Sequence, residues 1–308
     1  MAMRNFPQDR FVEAHHLRFQ LLDWGGQGPY LIILSGIFAT AYMFLSLGSR
    51  LADQFRVLAL TRRGLGRSDK PEDGYDANTL VEDIAGVCDA LNVDSAYFAG
   101  WSFAGIELSS LAAKYPERVR KLIYLDAAYD YCAVRDVMER DPLEKYLAPL
   151  RAEAIDSLDA YLSSRRTLLP MALAPYWDDR IRRAAMENVE VLPDGRVQMR
   201  MQKSTIDQLA ATGQAYSPDY SKVESPALAI YAMANEHPEK PALLPEDIKQ
   251  AADAWWRDES TPAVRKCIEQ FKFGIPSGRV LELPDTCHAC FIQREDEVSA
   301  AMRQFLED

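Results

Sequence analysis

Positive charge is in short supply in this sequence. Lys and Arg number 35 against 46 for Asp and Glu, leaving a formal net charge of -11 over 308 residues. That balance lacks the basic footprint that phosphate backbones select, so nucleic acid is not an expected partner. It also gives no attraction to anionic membrane surfaces. Histidine is scarcer still, with four residues, at 15, 16, 237 and 288. The five cysteines, at 88, 132, 267, 287 and 290, are odd in number and irregular in spacing. A disulfide framework is therefore excluded as an expectation, and reduced thiols in the cytoplasm are favoured. Cys287-x-x-Cys290 brackets His288, but no second CxxC or HxxxH completes four ligands, so no metal is expected. Gly (15) and Pro (17) are too few for a low-complexity chain. The opening MAMRNFPQDR has no apolar signal core, so no secretory targeting is expected.

One long uncharged run is present, from Gly28 to Ser49. It is long enough to cross a bilayer. Ser35-Gly36 interrupts it, and Gly25, Gly26, Gly28 and Pro29 crowd its entry. A buried strand, a turn and a helix start account for it better than a membrane span.

The rest of the chain shows an alternation. Arg10 to Ala14 and Leu17 to Trp24 read as strands joined by a turn at His15-His16. Tyr30 to Leu34, Arg56 to Leu60, Ser95 to Gly100 and Lys121 to Leu125 read as strands, several of them apolar enough to be buried on both faces. Helical patterns lie between them, over Ala41 to Gln54, Asp76 to Leu91 and Phe103 to Lys114. After Tyr129 the alternation stops. Residues 129–222 read as mostly helical, with a hairpin around Pro193-Asp-Gly195. Then Ala227 to Tyr231 and Arg279 to Leu283 resume as strands, Pro245 to Phe271 as mainly helix, and Glu295 to Leu306 as a final helix. Such a sequence predicts an α/β protein with a mostly parallel central sheet flanked by helices.

Chemistry concentrates at Gly100-Trp-Ser102-Phe-Ala-Gly105, where a strand runs straight into a helix. A serine in so tight a turn presents its hydroxyl above the sheet edge, and the small residues around it let strand and helix approach. This is the nucleophile elbow, G-x-S-x-G, with Ala104 in its last position. Helix-start amides are unpaired and carry the positive end of the dipole, so Phe103 N–H is a candidate oxyanion donor. The loop Ser35-Gly36-Ile37-Phe38 should supply the second, and Ile37 N–H is the choice. A serine needs a base. His288 lies after the last strand and fits the chain order Ser, acid, His. The acid should end a strand near it. Asp126 and Glu236 both qualify; Asp126 is preferred and Glu236 is the alternative. Asn235 cannot stabilise an imidazolium as a carboxylate does.

Taken together these residues resemble the α/β-hydrolase superfamily over nearly the whole chain. The resemblance rests on Leu22-Asp-Trp-Gly-Gly26, on Ser35-Gly36 where many members have His-Gly, on Arg63-Gly-Leu-Gly-Arg-Ser68, on the elbow and on His288. Most members carry the acid after the seventh strand, where this chain has Ala232-Met-Ala-Asn235. Some, haloalkane dehalogenases among them, carry it after the sixth, which Asp126 matches. Those enzymes and the epoxide hydrolases use an Asp nucleophile, so Ser102 argues against both chemistries. The resemblance implies a core of residues 1–128 and 223–308 and a helical cap, 129–222, inserted after the sixth strand. Phe38, Trp101 and Phe103 near the nucleophile suggest a mainly apolar pocket.

The expected activity is a serine hydrolase acting on a small carboxylic ester or related acyl compound through an acyl-enzyme, with no metal or organic cofactor. Lactone, amide or C–C bond hydrolysis, acyl transfer, and a slow-turnover ligand-binding or signalling role are the alternatives. A homo-oligomer stays open. Cys287 and Cys290 flank the base and suggest sensitivity to thiol reagents.

Overall fold

The computed structural model describes residues 6–151, 156–177 and 179–308. The start of the N-terminal segment, residues 1–5, and positions 152–155 and 178 of the 129–222 segment lie outside the described residues.

Among the described residues ten strands form: β1 (Gln8–Ala14), β2 (Leu17–Gly25), β3 (Tyr30–Leu34), β4 (Arg56–Leu60), β5 (Ala96–Trp101), β6 (Val119–Leu125), β7 (Val189–Val191), β8 (Val197–Met199), β9 (Ala227–Met233) and β10 (Gly278–Pro284). Eight make one sheet in the order β1-β2-β4-β3-β5-β6-β9-β10. β2 runs antiparallel to β1 and β4, and every other pairing in that sheet is parallel. The continuous apolar runs have a simple cause. In β3, Leu31 and Ile33 pack into one core and Ile32 and Leu34 into another on the opposite face. Val57 and Ala59 alternate with Leu58 and Leu60 in β4 in the same way. Side chains of period two must be apolar at every position when both faces are covered.

The helices, among the described residues, are α1 (Leu45–Leu51), α2 (Ala77–Ala90), α3 (Ala104–Lys114), α4 (Tyr131–Met138), α5 (Pro142–Arg151), α6 (Leu158–Thr167), α7 (Asp179–Glu187), α8 (Lys203–Ala215), α9 (Glu246–Trp255), α10 (Thr261–Gly274), α11 (Cys290–Gln293) and α12 (Glu295–Glu307). Asp76 caps α2 by accepting from Thr79 N–H at 3.0 Å. Helices α4 to α8 and the β7–β8 hairpin all lie between β6 and β9 in the chain.

Two helical expectations change in detail. The segment 41–54 opens as a 3-10 turn, Ala41–Phe44, before α1 begins, and α1 stops at Leu51. The segment 245–271 is two helices joined through a π turn at Trp256–Ser260. The first hairpin turns on His15 and His16, both at positive φ (49° and 63°), the two-residue turn whose twist suits paired strands. Among the described residues no helix is long and apolar enough to cross a membrane. The uncharged run becomes β3, a loop, the 3-10 turn and the start of α1.

Parallel strands end on one edge. Leu34 pairs with Gly100, Trp101 with Leu125, Leu125 with Ile230, and Pro284 with Met233. The residues just beyond these ends are Ser35 to Ile37, Ser102, Asp126 and the segment leading to His288. Topology alone thus gathers the candidate residues at the carboxyl edge of the sheet.

Candidate active site

Ser102 follows directly on β5 and has φ of 57°. A left-handed conformation is unfavourable for a residue with a Cβ and persists only where the surroundings impose it. The next residue, Phe103, is already helical at φ -47° and is the N-cap of α3. The flanking residues show why so sharp a turn fits. A Cβ on Gly100 would stand 2.8 Å from Ala104 Cβ, and one on Gly105 would stand 1.8 Å from Ala127 O. Ala104 is therefore tolerated because Gly100 makes room for it. Gly105 is where the backbone leaving β6 crosses the helix. Gly36 closes the site from the other side, since a Cβ there would come 3.2 Å from Ser102 Cβ.

Asp126 follows β6, also at positive φ (48°), and is 4% exposed. Its Oδ2 lies 2.6 Å from His288 Nδ1. Its Oδ1 accepts from Tyr129 Oη at 2.6 Å and from Ala232 N–H at 2.9 Å. A buried carboxylate is tolerable when its lone pairs are taken up in this way.

His288 is held from three further directions. Its N–H donates to Glu239 Oε1 at 2.7 Å, its carbonyl accepts from Trp101 Nε1 at 2.9 Å, and its ring lies 5.2 Å from the Trp101 ring. The side chain is 35% exposed. Burial works against the imidazolium, but the hydrogen bond and charge of Asp126, with the charge of Glu239, outweigh it. The pKa is raised above its ordinary value.

Glu236, the alternative acid, points elsewhere. Its side chain is 72% exposed and pairs with Lys240 Nζ at 2.9 Å. The end of β9 contributes a backbone amide, Ala232 N–H, to Asp126 instead of an acid. Of the other histidines, His15 and His16 sit in the first hairpin turn. His237 is buried between Trp255 and Trp256, with Asp141 Oδ2 3.3 Å from its Nε2.

The Ile37 and Phe103 amides donate to no protein acceptor among the described residues. Both residues belong to one apolar cluster with Tyr75, Leu80, Ile106 and Leu209. The expected pocket residues divide. Trp101 braces His288, whereas Phe38 is 55% exposed and offers its carbonyl to Asn188. Cys287 and Cys290 flank the histidine but are 1% and 0% exposed, and burial pushes both thiols up. The expected thiol sensitivity is thereby corrected, because a buried protonated thiol is a poor nucleophile.

Sequence reasoning missed Tyr129, Tyr131, Glu239 and a buried ion pair between Arg62 and Glu107, whose Oε1 accepts from Arg62 Nε at 2.6 Å. Tyr131 packs in the same cluster as Ile37 and Phe103, and burial and the Asp126 charge raise its pKa, which keeps it protonated. Tyr129 stands three residues after Asp126, the one spacing that hinted at a local contact. Among the described residues no group of three or more His, Cys, Asp or Glu is arranged to hold a metal.

The chain is 27% identical over 260 residues to a 2-(acetamidomethylene)succinate hydrolase of Mesorhizobium japonicum, covering 80% of this chain and 88% of that one. It is 36% identical over 131 residues to a 2-hydroxymuconate semialdehyde hydrolase of a Pseudomonas species, covering 41% and 46%. The crystal structure of an E-2-(acetamidomethylene)succinate hydrolase superposes with a TM-score of 0.74 at 22% identity, over 98% of this chain and 100% of that one, which shows a shared fold. These relatives support a hydrolase. A sequence profile of the α/β hydrolase fold matches residues 29–295, and the chain belongs to that family.

Proposed function

We propose that the protein is a serine hydrolase in which Ser102 is the nucleophile, His288 the base and Asp126 the acid. The observation that carries the reading is the 2.6 Å contact between Asp126 Oδ2 and His288 Nδ1, beside a serine at φ 57° at the head of α3. Ser102 Oγ attacks the carbonyl carbon while His288 Nε2 takes its proton. Asp126 holds the tautomer with Nδ1–H and stabilises the imidazolium. The Ile37 and Phe103 amides receive the oxyanion, each contributing about 3 kcal/mol at the transition state. His288 then protonates the leaving group, and water repeats the sequence to free Ser102. The helices between β6 and β9 act as a cap over a small acyl substrate.

A carboxylic ester is the first substrate class. An amide is the second reading, favoured by the relative whose named substrate carries an acetamido group and which matches 80% of this chain. The test is labelling by a fluorophosphonate, compared with Ser102→Ala. We expect stoichiometric labelling of the native protein and none of the variant. Labelling that survives the substitution, or is absent from both, overturns the assignment. Parallel assays on matched esters and amides decide between the two readings.

A further inference from the structure

Arg62 follows β4 by two residues and is 5% exposed. A guanidinium is costly to bury unless its donors are occupied. Glu107, in the first turn of α3 and 2% exposed, accepts from Nε at 2.6 Å and also from Nη2. That bidentate pair occupies one edge of the fork. The remaining donors reach the loop after β3. Nη2 donates to Ser35 O at 2.9 Å and Nη1 to Gly36 O at 3.3 Å. The guanidinium carbon also sits 4.9 Å from the centre of the Phe103 ring. One side chain therefore touches the loop that carries Ile37 N–H, the residue that carries Phe103 N–H, and the helix that starts beside Ser102.

The geometry of the peptide group gives this a catalytic meaning. Gly36 C=O and Ile37 N–H belong to the same planar unit, and in a trans peptide the two point in opposite directions. Holding Gly36 O toward Arg62 aims Ile37 N–H away from Arg62. Gly36 itself stands against Ser102, with only 3.2 Å from its virtual Cβ to Ser102 Cβ.

We infer that Arg62 is a positioning residue for the oxyanion hole. Its fork ties loop 35–37 to α3 through Glu107, so that two amides from separate segments keep one mutual geometry. The inference rests on the serine-hydrolase reading and extends it. The distinction from a purely structural role is sharp. A buried ion pair that only holds the fold can be replaced by well-packed apolar residues with little loss. One that orients catalytic dipoles cannot.

The decisive variant is the double substitution Arg62→Met/Glu107→Leu, which leaves no uncompensated buried charge. We expect a cooperative melt and a native circular dichroism spectrum. We also expect kcat to fall by about 10- to 100-fold with little change in KM, because preorganised donors act on the transition state. Fluorophosphonate labelling of Ser102 should slow in step. Arg62→Lys is the second variant. It keeps a charge beside Glu107, but an ammonium lacks the fork that reaches two carbonyls at once, so kcat should fall similarly with KM preserved. Should the double variant fail to fold, Arg62→Lys decides alone. Wild-type kcat in either folded variant overturns the inference. A wild-type protein without Ser102-dependent labelling overturns the serine-hydrolase reading and this inference with it, an outcome distinct from normal labelling with unimpaired variants.

Discussion

At the scale of single residues, the site depends on how Asp126 is occupied. His288 Nδ1, Tyr129 Oη and Ala232 N–H converge on its two oxygens. An asparagine there turns an NH2 toward at least one donor and favours the wrong imidazole tautomer. Asp126→Asn should cost roughly a thousandfold or more in kcat while leaving KM near its native value. A loss of tenfold or less would place the acid elsewhere. The raised pKa of His288 sets the direction of the pH profile. In the proposed mechanism His288 acts as a base only when neutral, and a raised pKa keeps it protonated to higher pH. The acid limb of kcat/KM should therefore lie above the ordinary imidazole value, with activity lost as pH falls through it. Glu239→Gln keeps an acceptor for His288 N–H but removes a negative charge. It should shift that limb toward lower pH, and an unmoved limb would show that the Glu239 charge does not reach the ring.

At the scale of elements, the elbow depends on how closely α3 crosses the exit of β6. Gly105 and Ala127 touch there, with Ser102 and Asp126 a few residues away on either side. Gly105→Ala forces the two segments apart, since its Cβ would sit 1.8 Å from Ala127 O. We expect a destabilisation of about 1–3 kcal/mol together with a fall in kcat. Gly213→Ala in α8 is the contrast. Its Cβ would find the nearest atom, on the Phe103 ring, at 3.7 Å, an ordinary contact. That change should raise the melting temperature slightly, by the entropy removed from the unfolded chain. Thermal melts of both variants check the pair, and equal destabilisation would refute the argument.

These same elements show what could be read beforehand. β3, β4 and β9 announce themselves because strands buried on both faces carry apolar residues at every position. The elbow was legible because its small residues and its strand-to-helix transition are local in sequence. The π turn after Trp255 carries no period of its own. The choice between Asp126 and Glu236 depended on which side chain faces His288, and no local pattern encodes a contact across 162 residues. Arg62 and Glu107 are 45 residues apart and each looks like an ordinary surface charge until the sheet brings them together.

At the scale of the whole molecule, folding decides which of the five cysteines can react. Cys88, Cys267, Cys287 and Cys290 are buried, and Cys132, on α4, is exposed. Burial raises the pKa of all four buried thiols, so they are both hidden and protonated. Only the thiolate attacks an alkylating reagent. Iodoacetamide at neutral pH should therefore modify one residue of the native protein, Cys132, and all five after denaturation. Intact mass before and after unfolding counts the adducts, and peptide mapping locates them. The thiols that flank His288 answer to the stability of the core around them, because a reagent reaches them only when that core opens. Their alkylation rate in sub-denaturing urea should rise together with the loss of fluorophosphonate labelling at Ser102. Rapid native modification of Cys287 or Cys290 would mean that the segment carrying His288 opens independently of the sheet.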